Sequence, residues 1–123
     1  MSQIVCRGIR GAITVEANEA DLILDATREL LGRLVEANQI APDDIASVIF
    51  SSTSDLNATF PALAARQFGW TGVALLGCQE VAVAGALPRC IRVLIHWNTD
   101  RRPDDLKHIY LREATVLRPD RNL

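Results

Sequence analysis

The spacing of apolar residues predicts one long helix near the N-terminus. Over residues 18–37 the apolar positions recur every three or four residues, with charged residues between them. This pattern is typical of an amphipathic helix that packs on a core. Asn18, with Asp21 three positions later, is a suitable N-cap, and Pro42 marks chain beyond the end of the helix.

Alternating patterns predict strands for much of the remaining chain. The clearest covers residues 91–97, where the apolar side chains face one way and Arg92 faces the other. Residues 78–89 follow no regular pattern, because Gly85 and Pro88 interrupt it. The other predicted elements are strands at residues 4–15, 46–51, 73–76 and 108–111, and a short helix at residues 62–68 that Pro61 opens.

These elements predict a single domain over residues 1–123 of the α/β (α+β) class, with a mixed sheet and one long outer helix. A small sheet that is covered on one side must bury its other face, so we expect an oligomer. Gly8 and Gly11 lie within the first strand pattern. They indicate either a bulge or a backbone that another part of the protein approaches closely.

The composition is that of an ordinary globular protein, with 49% hydrophobic and 23% charged residues. The net charge of -2 and the lack of a basic stretch argue against a nucleic-acid partner. No apolar run is long enough to span a membrane, and no signal-peptide pattern opens the sequence. Cys6, Cys78 and Cys90 lack Cys-x-x-Cys spacing. We therefore expect free thiols and a cytoplasmic location.

Arginine supplies twelve of the thirteen cations, and Lys107 is the only lysine. A guanidinium binds a carboxylate through two parallel hydrogen bonds, which an ammonium cannot do. A GC-rich genome also explains such a count. The positions of particular arginines are therefore more informative than their number.

Three charged residues are candidates for a binding site. Arg92 lies mid-strand between apolar neighbours, where a charge is costly unless it is paired or bound to a ligand. An internal ion pair and a ligand contact both fit this position. Arg10, flanked by Gly8 and Gly11, fits a ligand contact or a solvated strand end, and Glu80 fits a ligand contact or an ordinary surface carboxylate.

Other catalytic schemes have less support from the sequence. Ser51, Ser52 and Ser54 lack the glycines of a nucleophile elbow. His96 and His108 are too few, and too far from any carboxylate motif, to indicate a metal site. There is no phosphate-binding glycine loop or dinucleotide fingerprint. The candidate residues therefore indicate anion binding without a metal or a cofactor.

Several segments occur in the order and spacing of a known family. They are Arg-Gly-Ile-Arg-Gly-Ala-Ile-Thr-Val-Glu at 7–16, Asp-Leu-Asn-Ala-Thr-Phe-Pro-Ala at 55–62, Gln-Glu at 79–80, Cys-Ile-Arg-Val at 90–93, His-Ile-Tyr-Leu at 108–111 and Val-Leu-Arg-Pro-Asp at 116–120. Together they resemble the monofunctional chorismate mutases of the small trimeric, Bacillus type (the AroH class). The resemblance covers essentially the whole chain, apart from a single-residue shift near Gly69.

The resemblance implies a trimer, a pseudo-α/β-barrel in which three sheets enclose the core and clefts lie between neighbouring subunits. It also implies the concerted rearrangement of chorismate to prephenate in phenylalanine and tyrosine biosynthesis. Such a step needs no nucleophile, metal or cofactor. The protein would hold the reactive chair-like conformer and place positive charge at the breaking ether bond.

By resemblance, the catalytic residues are Arg92, Arg10 and Glu80. Arg92 would bind the ether oxygen and a carboxylate, Arg10 would bind a carboxylate, and Glu80 would accept a hydrogen bond from the ring hydroxyl. Tyr110 would contact the side-chain carboxylate. The other implied substrate-binding residues are Phe60, Ala62 and Arg66 of the adjacent subunit, Cys78, and Leu117 and Arg118 of a mobile tail at 117–123 that would close the cleft.

Two positions depart from the family pattern. Leu63 stands where relatives can carry a lysine, and the family's cysteine falls on Gly77 or Cys78, depending on where a gap is placed. Two other functions are alternatives. One is a small trimeric enamine/imine deaminase of similar architecture, and the other is a non-catalytic trimeric module that binds an aromatic acid.

Overall fold

A computed structural model describes residues 3–118. Its strands are Val5–Thr14 (β1), Ile45–Ser52 (β2), Leu75–Gln79 (β3), Cys90–Thr99 (β4) and Ile109–Leu111 (β5), its helices are Ala20–Asn38 (α1) and Pro61–Gln67 (α2), and short 3-10 helices lie at Pro42–Asp44, Pro103–Asp105 and Arg112–Leu117. The sheet order is β3-β2-β4-β1-β5. Within residues 3–118, no helix is both long and apolar enough to cross a membrane.

The sheet is mixed, as the sequence predicted. The central strand β4 is antiparallel to both β1 and β2, while the outer strands β3 and β5 run parallel to their neighbours. The long helix α1 covers one face. The five-stranded mixed sheet and the single long helix confirm the predicted α+β class.

The main core lies between α1 and one face of the sheet. The four apolar residues predicted to share a face of β4 (Ile91, Val93, Ile95 and Trp97) are all buried. The helix supplies a stripe of buried residues that meets them: Ile23, Ala26, Leu30, Leu31 and Leu34. Removing this apolar surface from water is the dominant contribution to stability.

The face of the sheet opposite α1 is called the open face below. By strand register it carries Gly8, Arg10 and Ala12 of β1, Ser51 of β2, Cys78 of β3, Arg92 and Leu94 of β4 and Tyr110 of β5. At one end of this face, Ala114 and Leu117 pack with Ala12 and Cys90 in a small apolar cluster. Elsewhere the open face is only partly covered by the described residues, and Arg92 is exposed.

Gly11 marks a close approach and not a bulge. The register between β1 and β4 runs without interruption through Gly11, and the irregularity of the sheet lies instead in β2 between Ile45 and Ser47. A Cβ at Gly11 would lie 2.9 Å from Leu34 Cδ1 and 3.1 Å from Leu30 Cδ1. The residue is therefore a glycine because α1 packs directly on the backbone of β1.

The prediction that Asn18 caps α1 is wrong. The N-cap residue is Glu19, and no side chain caps this end of the helix. The Asn18 side chain is used elsewhere. Its Oδ1 accepts hydrogen bonds from the backbone amides of Asn57 and Ala58, both at 3.0 Å, and its Nδ2 donates to Asn57 Oδ1 at 2.7 Å. An asparagine before a helix can serve either role, and here it holds the loop that leads to α2.

The prediction for β3 was displaced along the chain. The apolar pattern indicated residues 73–76, whereas the strand spans Leu75–Gln79. Pairing with β2 extends it, because Phe50, Ser51 and Ser52 provide the matching partners. The last residues of β3 are small or polar and exposed. Because they lie in an edge strand and bury little, the apolar pattern of the sequence could not show that the strand continues through them.

We expect Gly11→Ala to destabilise the protein by about 1–3 kcal/mol, the usual cost of overpacking a filled core. The new methyl group would meet Leu34 and Leu30, which are fully buried, and the Ile109 carbonyl oxygen at 3.2 Å. Gly8→Ala is the matched control, because its nearest contact would be Leu94 Cδ1 at an ordinary 3.5 Å. Urea unfolding of both variants measures the difference, and equal midpoints would contradict this account of Gly11.

Candidate active site

Arg92 lies near the middle of the open face. It belongs to β4, and its side chain points away from the buried neighbours Ile91 and Val93, as predicted. Its Nε lies 3.4 Å from Glu80 Oε1, and 47% of its side chain is exposed. The guanidinium is therefore paired with Glu80 and about half exposed to solvent, so the predicted ion pair is present and the ligand contact stays a prediction.

Glu80 is held more firmly than an ordinary surface carboxylate. It follows β3 directly, and its amide donates to the Ser52 carbonyl at 2.9 Å. Its Oε1 accepts a hydrogen bond from Ser51 Oγ at 2.5 Å in addition to its contact with Arg92. Its side chain is 27% exposed. The carboxylate therefore has a fixed position beside the cation.

The sheet brings Arg10 and Tyr110 to the same face as Arg92. Ala12 is the register partner of both Arg92 and Tyr110, so these two lie two strands apart, and Arg10 precedes Ala12 by two residues. The backbone amide of Arg10 donates to His108 Nδ1 at 3.0 Å. With two guanidiniums and one carboxylate, this part of the open face favours an anionic ligand.

Cys78 also belongs to this group by register. It pairs with Ser51, which in turn pairs with Arg92. Gly77 pairs with the buried Phe50 and so falls on the opposite face. Of the two positions to which the family's cysteine could correspond, Cys78 is the one whose side chain shares a face with Arg92.

The C-terminal candidates are described only in part. Leu117 ends the last 3-10 helix and packs with Tyr110 and Ala12 in the small cluster. Arg118 follows it and is half-buried. The remaining residues of the predicted tail, 119–123, lie outside the described residues.

The candidates on α2 lie apart from the others. Phe60, Ala62 and Arg66 line a groove of about 700 Å³ that also reaches Cys78 on β3. Among the described residues, Arg10, Glu80, Arg92 and Tyr110 are not part of its lining. Within one chain the groove therefore shares Ser51 and Cys78 with the group around Arg92, but it does not include the charged residues of that group or Tyr110.

Sequence reasoning missed the hydrogen bonds that hold the start of β4. The Asp55 carboxylate accepts from the Arg89 amide at 2.9 and 3.2 Å and from the Thr53 hydroxyl at 2.5 Å. Thr53 Oγ1 in turn accepts from the Cys90 amide at 3.0 Å. Arg89 adopts a left-handed backbone conformation, with φ of 49°. The sequence contained only an indirect indication of these hydrogen bonds, because Asp55 opens one of the matched segments and had no evident role there.

Ser51 was also missed as a site residue. It was considered only as a nucleophile, although its place in a strand predicts which face it shares. Alternation from the buried Phe50 puts Ser51 on the open face beside Arg92. A polar residue within an apolar strand was the available signal.

A comparison with known sequences identifies the protein family of this chain. The sequence model of the family described as chorismate mutase type I matches residues 6–121. The chain belongs to this family. Type I chorismate mutases are isomerases that act on chorismate in aromatic amino acid biosynthesis, and the chain's activity is that of a chorismate mutase, as its motifs indicated.

Individual chorismate mutases are similar over nearly the whole chain. The chorismate mutase AroH of Thermus thermophilus is 56% identical over 115 residues, 93% of this chain and 94% of that protein. The chorismate mutase AroH of Bacillus subtilis (strain 168) is 43% identical over 121 residues, 98% of this chain and 95% of that protein. A solved chorismate mutase from Clostridium thermocellum superposes with a TM-score of 0.88 at 50% identity, covering 89% of this chain and 98% of that one.

Cys90 should be the least reactive cysteine of the folded protein. Its burial raises the pKa of its thiol from 9.0 to about 11; Arg92 opposes the rise, while Glu80 and Asp55 add to it. Because the thiolate is the reactive species, we expect iodoacetamide at pH 8 to modify exposed Cys6 quickly and Cys90 only after unfolding. Mass spectrometry of peptides over time measures both rates, and equal rates in the folded protein would contradict the prediction.

Proposed function

We propose that Arg10, Cys78, Glu80, Arg92 and Tyr110 form the substrate-binding part of the active site, and that they accelerate the concerted rearrangement of chorismate to prephenate. The observation that carries the proposal is the guanidinium of Arg92, which is paired with Glu80 through Nε and remains about half exposed. Arg92 binds the ether oxygen and a carboxylate of the substrate. Arg10 and Tyr110 bind carboxylates, and Glu80 accepts a hydrogen bond from the ring hydroxyl.

The physical basis of catalysis is charge and positioning. As the ether bond breaks, its oxygen gains electron density, and a guanidinium already in place stabilises that charge without reorganisation of solvent. The two arginines and Tyr110 also hold the carboxylates, which favours the compact reactive conformer over the extended ones found in solution. Interactions of this kind accelerate the reaction only as far as they are stronger in the transition state.

The proposal includes a trimer with active sites between subunits. Among the described residues, the exposed large apolar side chains are Ile4, Phe60, Leu63, Phe68, Leu76, Val81, Val83 and Val116. Two of them, Phe60 and Leu63, lie together on the groove at α2, where a partner subunit would cover them. Within one chain the groove lined by Phe60, Ala62 and Arg66 does not include Arg92. In the trimer they line the cleft from the adjacent subunit, and Leu117 and Arg118 belong to a segment that closes it.

Leu63 adds no cation to the cleft where relatives can carry a lysine, so Arg66 is the α2 residue that supplies positive charge. Cys6, Cys78 and Cys90 are all free thiols, which supports a location in the reducing cytoplasm. The reaction itself calls for neither a metal nor a cofactor.

We expect Arg92→Lys to lower kcat/KM for chorismate about 100-fold or more, which is the usual cost of losing one transition-state contact. Lysine keeps the charge but cannot bind Glu80, the ether oxygen and a carboxylate through one planar group. The loss of chorismate absorbance, with prephenate identified as the product, measures activity. Arg33→Lys, on the exposed side of α1, is the matched control. A fully active Arg92→Lys enzyme would rule out the proposed role of Arg92.

Subunit complementation tests the shared active site. Arg92→Ala and Arg66→Ala should each be nearly inactive alone. If the two residues of one site come from different subunits, unfolding the two variants together and refolding them at equal amounts should restore roughly a quarter of the sites. Activity that stays at the level of the separate variants, in a mixture shown to contain mixed trimers, would contradict the proposal.

A further inference from the structure

Ser51 makes a close polar contact with the proposed catalytic carboxylate. Its Oγ donates to Glu80 Oε1 at 2.5 Å, and the same oxygen lies 3.4 Å from Arg92 Nε. Ser51 is the register partner of Arg92 on one side and of Cys78 on the other. It therefore stands at the centre of the group on the open face.

Both contacts of the Glu80 carboxylate use one oxygen. A glutamate has three rotatable side-chain bonds, and a partly exposed ion pair alone is a weak restraint on them. A hydrogen bond from a neutral hydroxyl to a carboxylate is short and directional. With Oε1 held by Ser51 and Arg92, fewer directions remain open to Oε2.

We infer that Ser51 is a positioning residue for the reaction. Its hydroxyl holds the Glu80 carboxylate so that Oε2 is presented to the ring hydroxyl of the substrate. The same bond keeps the carboxylate on the Nε side of Arg92, which leaves the two Nη groups of the guanidinium for the ether oxygen and a carboxylate. This inference rests on the proposed role of Glu80.

The neighbouring serine provides a matched control. Ser52 follows Ser51 in β2, but its side chain lies on the opposite face of the sheet. Its contact with Glu80 is made through the backbone carbonyl, which an alanine retains. Ser51→Ala and Ser52→Ala therefore remove the same atom from adjacent positions, and only the first removes a hydrogen bond to Glu80.

The experiment compares kcat/KM for chorismate in Ser51→Ala, Ser51→Thr and Ser52→Ala, with thermal unfolding to show that all three fold. We expect Ser51→Ala to lose about tenfold, the loss of one hydrogen bond to a charged acceptor. Ser51→Thr keeps a hydroxyl and suits a strand, so it should recover most of the activity. Ser52→Ala should match the unsubstituted protein.

A double variant separates positioning from a general structural effect. If Ser51 acts through Glu80, Ser51→Ala should cause no further loss in a Glu80→Ala background. An equal tenfold loss in both backgrounds would overturn the inference, as would a fully active Ser51→Ala beside an impaired Glu80→Ala. A fully active Glu80→Ala would overturn the proposed role of Glu80 and the inference with it.

Discussion

The contact between α1 and the sheet determines the arrangement of the open face. A strand presents successive side chains to opposite faces, and burial of Ile91, Val93 and Ile95 against the helix leaves their neighbours no other direction. A shift of β4 by one residue would bury Arg92 and expose the core residues, at a large cost in free energy. The apolar core thus fixes the position of the charged residue on the other side of the sheet.

Strand pairing extends this constraint from β4 to the other strands, because the register determines which of their residues share the open face. Ala12 pairs with Arg92 and with Tyr110, so one small residue separates two larger polar ones. Gly11, on the opposite face, lets α1 pack against β1 at close range. Gly11 and Ala12 of the first matched segment are therefore small for different physical reasons. Gly11 admits the helix, and Ala12 is part of the small apolar cluster beside the candidate site.

The predictable parts of this structure are those that a periodic pattern records. The stripe of α1 and the alternation of β4 were clear because each element buries one face over many residues. Asn18, β3 and Ser51 were misjudged or missed because their roles depend on partners distant in sequence. Asn18 binds the loop at Asn57, and Ser51 meets Glu80 only after β3 has paired with β2. The motif resemblance supplied what periodicity could not, since it implied a role for Glu80, although it did not show what holds this residue.

The geometry of Arg92 explains why arginine and not lysine suits this position. Its Nε faces Glu80, while the planar group extends two further nitrogens beyond that contact. One side chain can therefore be anchored by the protein and still present two donors in fixed directions. An ammonium has one nitrogen, so a bond to the anchoring carboxylate would draw the whole charge away from the ligand. The abundance of arginine in the chain has a compositional explanation, but in the proposed site its use at this position follows from binding on two sides at once.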